Sequence, residues 1–150
     1  MTGTVSQTTG RTVEKEILIH APPERVFRAL TTKEDLERWS VTEAFVDPRP
    51  GGRLRFVWIS NSIEGVFITV SPTLIVYTLD ERPLNGFTTV TITLTAEAGG
   101  TRVHLSHTGF GEGEDWDALY RGLDSGWGEG LDDLRAWIDD GRAKIWPGKE

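Results

Sequence analysis

Residues 116–138 read WDALYRGLDSGWGEGLDDLRAWI, and this stretch decides the fold because its apolar residues recur at the spacing of an α-helix. They fall within an arc of about 120°, the pattern of a helix that covers a broad apolar surface. The members of this stripe are Trp116, Leu119, Tyr120, Leu123, Trp127, Leu131, Leu134, Trp137 and Ile138. The stretch therefore predicts one long amphipathic helix packed against an apolar partner.

Three glycines, Gly122, Gly126 and Gly130, lie four residues apart within this predicted helix. An internal glycine costs a helix about 1 kcal/mol relative to alanine, so a compensating role is expected. Either the glycines let another backbone pack closely, or they leave room for a ligand. Both interpretations stay open at the level of sequence.

The composition of the chain limits the classes of function. Of its 150 residues, 37% are hydrophobic and 26% are charged, and no apolar run is long enough to span a bilayer. The net charge of −7 argues against nucleic acid and anionic membranes as partners, since both require clustered Lys and Arg. Cysteine is absent, which excludes disulfides, thiolate metal sites and a cysteine nucleophile. No cofactor and no metal are expected.

The chain is predicted to contain one domain, over residues 12–142. Residues 1–11 are rich in Thr, Ser, Gly and Gln and lack the apolar core of a secretory signal, so they are predicted to be a disordered tail. Residues 143–150, which include Trp146 and Pro147, are predicted to be a C-terminal tail. A cytoplasmic location is the expectation.

The order of the remaining segments predicts an α+β fold. Alternation of apolar and polar residues over 13–19 predicts a first strand. Two short helices follow, the first opened by Pro22 and Pro23 and the second by a capping motif at Thr31 and Thr32. Strand-like segments then recur at 44–47, 53–59, 63–70, 73–79, 88–96 and 101–109. The breaks between them are short and rich in turn residues, which favours antiparallel hairpins.

Alternation within the predicted strands assigns side chains to the two faces of the sheet. Arg53 and Arg55 share one face, so Leu54, Phe56 and Trp58 share the other and are expected to face the long helix. In the last strand His107 points inward, whereas His104 points to solvent. Because the two imidazoles lie on opposite faces, they cannot bind one metal ion together.

Several segments together resemble the SRPBCC or START-like helix-grip superfamily, in particular the branch related to the C-terminal domain of the activator of the heat-shock protein 90 ATPase. They are HAPPERVFRAL at 20–30, LERW at 36–39, DPRPGGRLRF at 47–56, EGVFITVSPTLIVYT at 64–78, TRVHLSHTGF at 101–110 and GWGEGLDDL at 126–134. The resemblance implies a helix-grip fold, in which a curved antiparallel sheet wraps around the C-terminal helix and leaves a hydrophobic cavity between them.

That architecture makes the inward aromatic residues and their neighbours candidates for a ligand site. The candidate ligand-binding residues are Trp39, Phe56, Trp58, Tyr77, His107, Tyr120, Leu123, Gly126 and Trp127. An inward histidine is more often a hydrogen-bonded core residue than a catalyst. In the functional interpretation His107 is a polar anchor, since a few polar groups in a mostly apolar cavity are typical of small-molecule sites. The leading hypothesis is binding of a small hydrophobic ligand, either lipid-like or aromatic and polyketide-like.

Two alternatives remain, because the resemblance includes proteins of different function. The first is a module that binds a chaperone, as the relation to the heat-shock protein 90 activator implies. The second is a cyclase or dehydratase with His107 as general acid or base, for which Asp47 and Glu64 are possible partners. Binding is favoured over catalysis, because His107 is the one titratable group that alternation places on the inner face.

Overall fold

The computed structural model describes residues 11–82 and 84–145 of the chain. Within them the strands are β1 (Val13–Ile19), β2 (Glu43–Val46), β3 (Arg53–Val57), β4 (Ser62–Ser71), β5 (Leu74–Asp80), β6 (Phe87–Glu97) and β7 (Gly100–Thr108). The helices are α1 (Pro23–Thr31) and α2 (Lys33–Trp39), between β1 and β2, and α3 (Glu114–Asp140), after β7. This order confirms the predicted α+β, helix-grip architecture.

The seven strands of the described chain form one curved antiparallel sheet in the spatial order β1-β7-β6-β5-β4-β3-β2. The strands from β2 to β7 pair as successive hairpins, whereas β1 adds to the far side of β7. Gly65 on β4 lies so close to β5 that an added Cβ would stand 2.0 Å from the carbonyl oxygen of Thr78. A side chain at this position would therefore force the two strands apart.

The two short helices begin with the residues that the sequence indicated. Pro23 occupies the first turn of α1, where the missing backbone N–H of proline costs nothing. The Thr32 hydroxyl accepts a hydrogen bond from the backbone N–H of Asp35 at the start of α2. Each helix buries one apolar side, with Val26 on α1 and Leu36 on α2 as fully or nearly fully buried members of the core.

Helix α3 is two residues longer at each end than the apolar stripe predicted, because glycines end it. Gly141 adopts a left-handed conformation with φ of 70°, and its N–H donates to the carbonyl oxygen of Trp137. The next residue, Arg142, donates its N–H to the carbonyl oxygen of Ala136. The bond from Gly141 is that of an αL capping motif, and both bonds satisfy carbonyl groups that the end of the helix would otherwise leave without partners.

Only the C-terminal half of α3 is fully packed on the core. Leu131 and Leu134 are buried there, and the indole N–H of Trp137 donates to Asp35 Oδ1 of α2 at 2.9 Å. Further towards the N-terminus, Leu123 and Trp127 are only partly buried, although they belong to the same apolar stripe. The N-terminal half of the helix is therefore less closely packed, and a space lies beneath it.

Of the predicted tails, the described residues include only Arg11 and residues 143–145, so Trp146 and Pro147 lie outside them. Arg11, the last residue of the predicted N-terminal tail, contacts Asp117 and donates to the carbonyl oxygen of Gly111 at 2.9 Å. At the other end, Lys144 donates its backbone N–H to the carbonyl oxygen of Arg38 at 2.7 Å. Among the described residues, no helix is both long and apolar enough to cross a membrane.

Candidate functional site

A cavity of about 580 Å³ lies between the inner face of the sheet and the N-terminal half of α3. This volume falls within the range of sites that bind small organic molecules. Its floor consists of side chains from β3, β5 and β6, such as Phe56, Tyr77 and Ile92, and its roof is formed by Leu123 and Trp127 of α3. Exposed residues at its rim connect the cavity to solvent.

The aromatic walls of the cavity pack edge to face. The ring of Phe56 lies 6.2 Å from that of Trp58 and 6.0 Å from that of Tyr77, with interplanar angles of 70° and 79°. Phe67 packs against the other side of Tyr77 at 5.8 Å. This geometry is favourable for aromatic pairs and holds the rings in place, so the wall is preformed rather than collapsed.

Hydrogen bonds to the protein occupy the indole N–H groups around the cavity. The N–H of Trp39 donates to the carbonyl oxygen of Ala29 at 2.8 Å, and that of Trp58 donates to the carbonyl oxygen of Ser40 at 3.0 Å. Since an indole has no other polar atom, these two side chains present only apolar surface to an occupant. The indole N–H of Trp127 is likewise bound, to His107.

His107 lies at the centre of a buried chain of hydrogen bonds. Trp127 Nε1 is 3.0 Å from His107 Nδ1, and His107 Nε2 is 2.8 Å from Thr88 Oγ1. Thr88 Oγ1 in turn lies 2.6 Å from Glu81 Oε2. His107, Thr88 and Glu81 are all buried, with no more than 6% of each residue exposed.

The direction of these bonds follows from the chemistry of the first donor. An indole N–H can only donate, so His107 Nδ1 accepts and the proton of the neutral imidazole lies on Nε2. His107 Nε2 therefore donates to Thr88 Oγ1, and the single hydroxyl proton of Thr88 is donated to Glu81 Oε2. Both ring nitrogens of His107 are hydrogen-bonded to protein groups, and Glu81 is the last residue in this chain of hydrogen bonds.

Burial shifts the pKa values of the two titratable groups in this hydrogen-bond chain, His107 and Glu81, in opposite directions. Removal from water lowers the pKa of His107 to about 4, so the imidazole is neutral at physiological pH. Burial raises the pKa of the Glu81 carboxyl, with Asp80 adding to that rise and the hydrogen bond from Thr88 opposing it.

Tyr77 contributes a second polar group to the cavity. Its side chain is 6% exposed, and burial raises the pKa of its hydroxyl, which therefore stays protonated. No residue of the described chain forms a hydrogen bond with this hydroxyl. A phenol on β5 and a carboxyl directly after the strand are thus the buried polar groups of this part of the cavity wall, whereas Asn61, Ser62 and Glu129 are exposed polar residues at the rim.

The structure brings eight of the nine predicted ligand-binding residues to the cavity wall. They are Trp39, Phe56, Trp58, Tyr77, His107, Leu123, Gly126 and Trp127. Tyr120 does not line the cavity, because its ring packs on Phe110 with centroids 5.4 Å apart, beneath the guanidinium of Arg11. That the eight residues bind a ligand stays a prediction.

The glycines of α3 do not mediate close packing. A Cβ at Gly122 or Gly126 would have no neighbouring atom within 4 Å, and a Cβ at Gly130 would meet only the edge of the Trp127 ring at 4.0 Å. Gly126 and Gly130 line the cavity, whereas Gly122 does not. Of the two interpretations of this glycine series, the geometry favours space for a ligand.

Glu81 is the buried titratable residue of the cavity that sequence reasoning missed. Alternation along β5 places Ile75, Tyr77 and Leu79 on the inner face, and Glu81 continues the same alternation after the strand ends. The signal was therefore present, but an acidic residue in a turn is normally solvated. The two acidic residues proposed as partners of His107 do not reach the cavity, since Asp47 pairs with Arg49 and the Glu64 side chain is 58% exposed.

Metal binding finds no support in the described residues, which contain no group of three or more His, Asp or Glu side chains placed to hold an ion. His104 and His107 lie on opposite faces of β7, as alternation required.

The fold and the cavity together define the START-like helix-grip class. Residues 20–139 match the family described as Activator of Hsp90 ATPase homolog 1-like protein, and the chain belongs to this family. The sequence-based expectation of the family is thereby confirmed.

Solved structures similar to this chain share its fold. Protein MLL2253 from Mesorhizobium loti is 27% identical, with a TM-score of 0.77 over 87% of this chain and 98% of its own. The Aha1 dimer from Colwellia psychrerythraea is 18% identical, with a TM-score of 0.77 over 89% of this chain and 99% of its own. DynU16, a protein of the dynemicin biosynthetic locus, is 17% identical, with a TM-score of 0.77 over 88% of this chain and 48% of its own. No curated protein is a significant match.

Proposed function

We propose that the protein binds a small hydrophobic ligand, lipid-like or aromatic and polyketide-like, in the cavity between the sheet and α3. The observation that carries this proposal is a space of about 580 Å³ enclosed by aromatic rings that are held by one another and by hydrogen bonds. An apolar ligand in this space would remove both its own surface and that of the rings from water. Each buried Å² contributes about 25 cal/mol to binding, before the costs of association.

Helix α3 offers a matched pair of positions for testing the cavity. Gly126→Leu would place a large side chain at the mouth of the cavity, and Gly122→Leu would place the same side chain on the same helix outside it. Because neither added Cβ meets a neighbouring atom, both variants should be at least as stable as the natural protein. We expect Gly126→Leu to weaken ligand binding at least about tenfold, equivalent to about 1.4 kcal/mol, and Gly122→Leu to leave it unchanged.

Tryptophan fluorescence provides the binding assay, because Trp58 and Trp127 line the cavity. Titration with fatty acids, sterols and aromatic polyketides should give saturable quenching with one of these classes, and that class names the ligand chemistry. Equal weakening by both leucine variants would contradict a site at the mouth of the cavity. No saturable response to any class would reject the proposal.

The geometry of His107 favours a role in holding the site over a role in catalysis. A general acid or base must exchange a proton with the substrate, whereas both nitrogens of His107 are bound to Trp127 and Thr88. Its lowered pKa of about 4 also makes it a weak base at neutral pH. In the binding proposal the imidazole instead connects α3 to the sheet and orients Glu81 through Thr88.

The alternative of a chaperone-binding module is less well supported by the surface. The large hydrophobic side chains exposed in the described chain include Phe45 on β2, Ile68 on β4 and Phe87 on β6. Isolated exposed apolar side chains on separate elements are usual in globular proteins. The cavity, in contrast, is a concave and mostly apolar space of the kind that binds small molecules.

A further inference from the structure

One oxygen of the Glu81 carboxyl group accepts a hydrogen bond from the protein, and the other accepts none from the described residues. Oε2 accepts the Thr88 hydroxyl at 2.6 Å, while Oε1 forms no hydrogen bond with any described residue. Glu81 is only 6% exposed and lines the cavity. The neighbouring cation, Arg82, is bound to Asp80 at 2.7 Å. A carboxyl group is therefore held against a largely apolar cavity with one of its two oxygens making no hydrogen bond to a described residue.

The chain of hydrogen bonds determines what this carboxyl group can recognise. Trp127 donates to His107, His107 donates to Thr88, and Thr88 donates to Glu81 Oε2, so Oε2 is an acceptor. Oε1 is then the oxygen that can bind a group in the cavity. At a pH above its raised pKa the Glu81 carboxyl is ionised, and an ionised carboxylate can only accept hydrogen bonds. A buried carboxylate without a full set of donors is also unfavourable, so an occupant that supplies the missing donor is stabilised most.

We infer that Glu81 anchors a hydrogen-bond-donating group, either a hydroxyl or a protonated amine, on a ligand that is otherwise apolar. This inference rests on the proposed function, because it assigns a chemical class to the occupant of the same cavity. Glu81 contacts the ligand directly, and Thr88 acts as a positioning residue that turns Oε1 towards the cavity. The apolar body of the ligand lies against the aromatic rings, and its donor group lies beside the end of β5.

Three probes of nearly equal apolar length test the inference at pH 8: 1-decanol, decylamine and 2-undecanone. The alcohol and the amine both donate hydrogen bonds, whereas the ketone only accepts them. Binding is measured by displacement of pyrene, whose uptake is followed by energy transfer from the tryptophans of the cavity. Pyrene has no hydrogen-bonding group, so its binding tests the cavity without testing Glu81.

The expected result is that the alcohol or the amine binds at least about tenfold more tightly than the ketone, the effect of one hydrogen bond to a charged group. A stronger preference for the amine would identify an ammonium group as the natural donor, and a stronger preference for the alcohol would identify a hydroxyl. Equal binding of all three probes, or a preference for the ketone, would overturn the inference. Absence of energy transfer to pyrene would instead reject the cavity as a ligand site.

Glu81→Gln gives the sharpest test, because the direction of the hydrogen-bond chain fixes the orientation of the amide. The Thr88 hydroxyl must donate to the amide oxygen, which leaves the NH₂ group facing the cavity. The variant should therefore lose the preference for donors and favour the ketone. Glu64→Gln is the matched control, since it makes the same change of charge on an exposed side chain of β4 that does not line the cavity.

Thr88→Val provides a second variant that retains the carboxylate. It removes the hydroxyl that orients Glu81 while keeping a side chain of nearly the same shape. The preference for donors should fall below that of the natural protein, and pyrene should still bind. If Glu81→Gln and Thr88→Val both bind pyrene and both keep the full preference, the donor group is recognised elsewhere and the inference is wrong.

Discussion

Protonation of His107 should destabilise the fold as the pH falls from 7 to 5. The imidazole is completely buried, and both of its nitrogens are bound in a pattern that fits only the neutral form. Its pKa in the folded protein is about 4, below the ordinary value of 6.5. Between these two values the unfolded chain binds a proton that the folded chain does not, so stability is complete above pH 6.5 and is lost as the pH falls towards 4.

The size of this effect follows from the difference in pKa. One pKa unit corresponds to about 1.4 kcal/mol, so the full loss from His107 at pH 4 is about 3 kcal/mol. At pH 5 the unfolded imidazole is almost fully protonated and the folded one is almost fully neutral. The contribution of His107 to the free energy of unfolding should therefore fall by about 2 kcal/mol between pH 7 and pH 5.

Urea denaturation at pH 7 and pH 5, followed by tryptophan fluorescence, measures this change. Protonation of Glu81 has the opposite effect on stability. Because its pKa is raised in the folded protein, the folded protein takes up this proton at a higher pH than the unfolded chain does, which stabilises the fold as the pH falls. The measurement is therefore the difference between the natural protein and His107→Gln, since Glu81 is present in both. His104→Gln, on the solvent-facing side of β7, is the control and should keep the pH dependence of the natural protein.

A result that would refute this reasoning is an equal change in stability between pH 7 and pH 5 for the natural protein and His107→Gln. The imidazole would then be protonated without cost in the folded state. The hydrogen bond from the Trp127 indole to Nδ1 could not exist in that state, and the direction of the chain to Glu81 would be lost with it.

Two further predictions concern the packing of α3 and of the sheet. Trp127→Phe keeps an aromatic ring but removes the N–H that donates to the buried imidazole. It should lower the free energy of unfolding by about 1–3 kcal/mol, measured by urea denaturation. An unchanged stability would mean that this hydrogen bond contributes nothing. Gly65→Ala and Gly122→Ala form a matched pair for thermal unfolding, because the first Cβ would collide with a carbonyl oxygen on β5 at 2.0 Å and the second would meet nothing within 4 Å. Gly65→Ala should destabilise the protein by about 2 kcal/mol, and Gly122→Ala should stabilise it by about 1 kcal/mol. An increase in stability from Gly65→Ala would contradict the close approach of β4 and β5.

The elements of the fold could be predicted because helices and strands are recorded in local periodicity. The apolar stripe of α3 repeats with the helical period, and β6 and β7 alternate with the period of a strand. The ends of α3 were predicted less well, since no apolar residue marks them. Gly113 and Gly141 set those ends through positive φ angles of 116° and 70°.

The inward orientation of His107 could also be predicted, since alternation along one strand is enough to assign a face. The partners of His107 could not. Trp127 comes from α3, Thr88 from β6, and Glu81 follows β5, so their meeting depends on how separate elements pack. Tyr120 shows the same limit, because its position in the stripe of α3 does not reveal that it packs on Phe110 outside the cavity.

The sequence by itself determined the order of the elements, the family, and which face of each strand turns inward, because each of these depends on neighbouring residues or on motifs in order. Only the tertiary structure decided that the space under α3 is a cavity, since that depends on whether the side chains of several elements fill the distance between helix and sheet. Gly126 and Gly130 were compatible with close packing until that distance was known. In the sequence Glu81 has the pattern of an ordinary turn residue, and only the packing of the folded chain shows that it is buried.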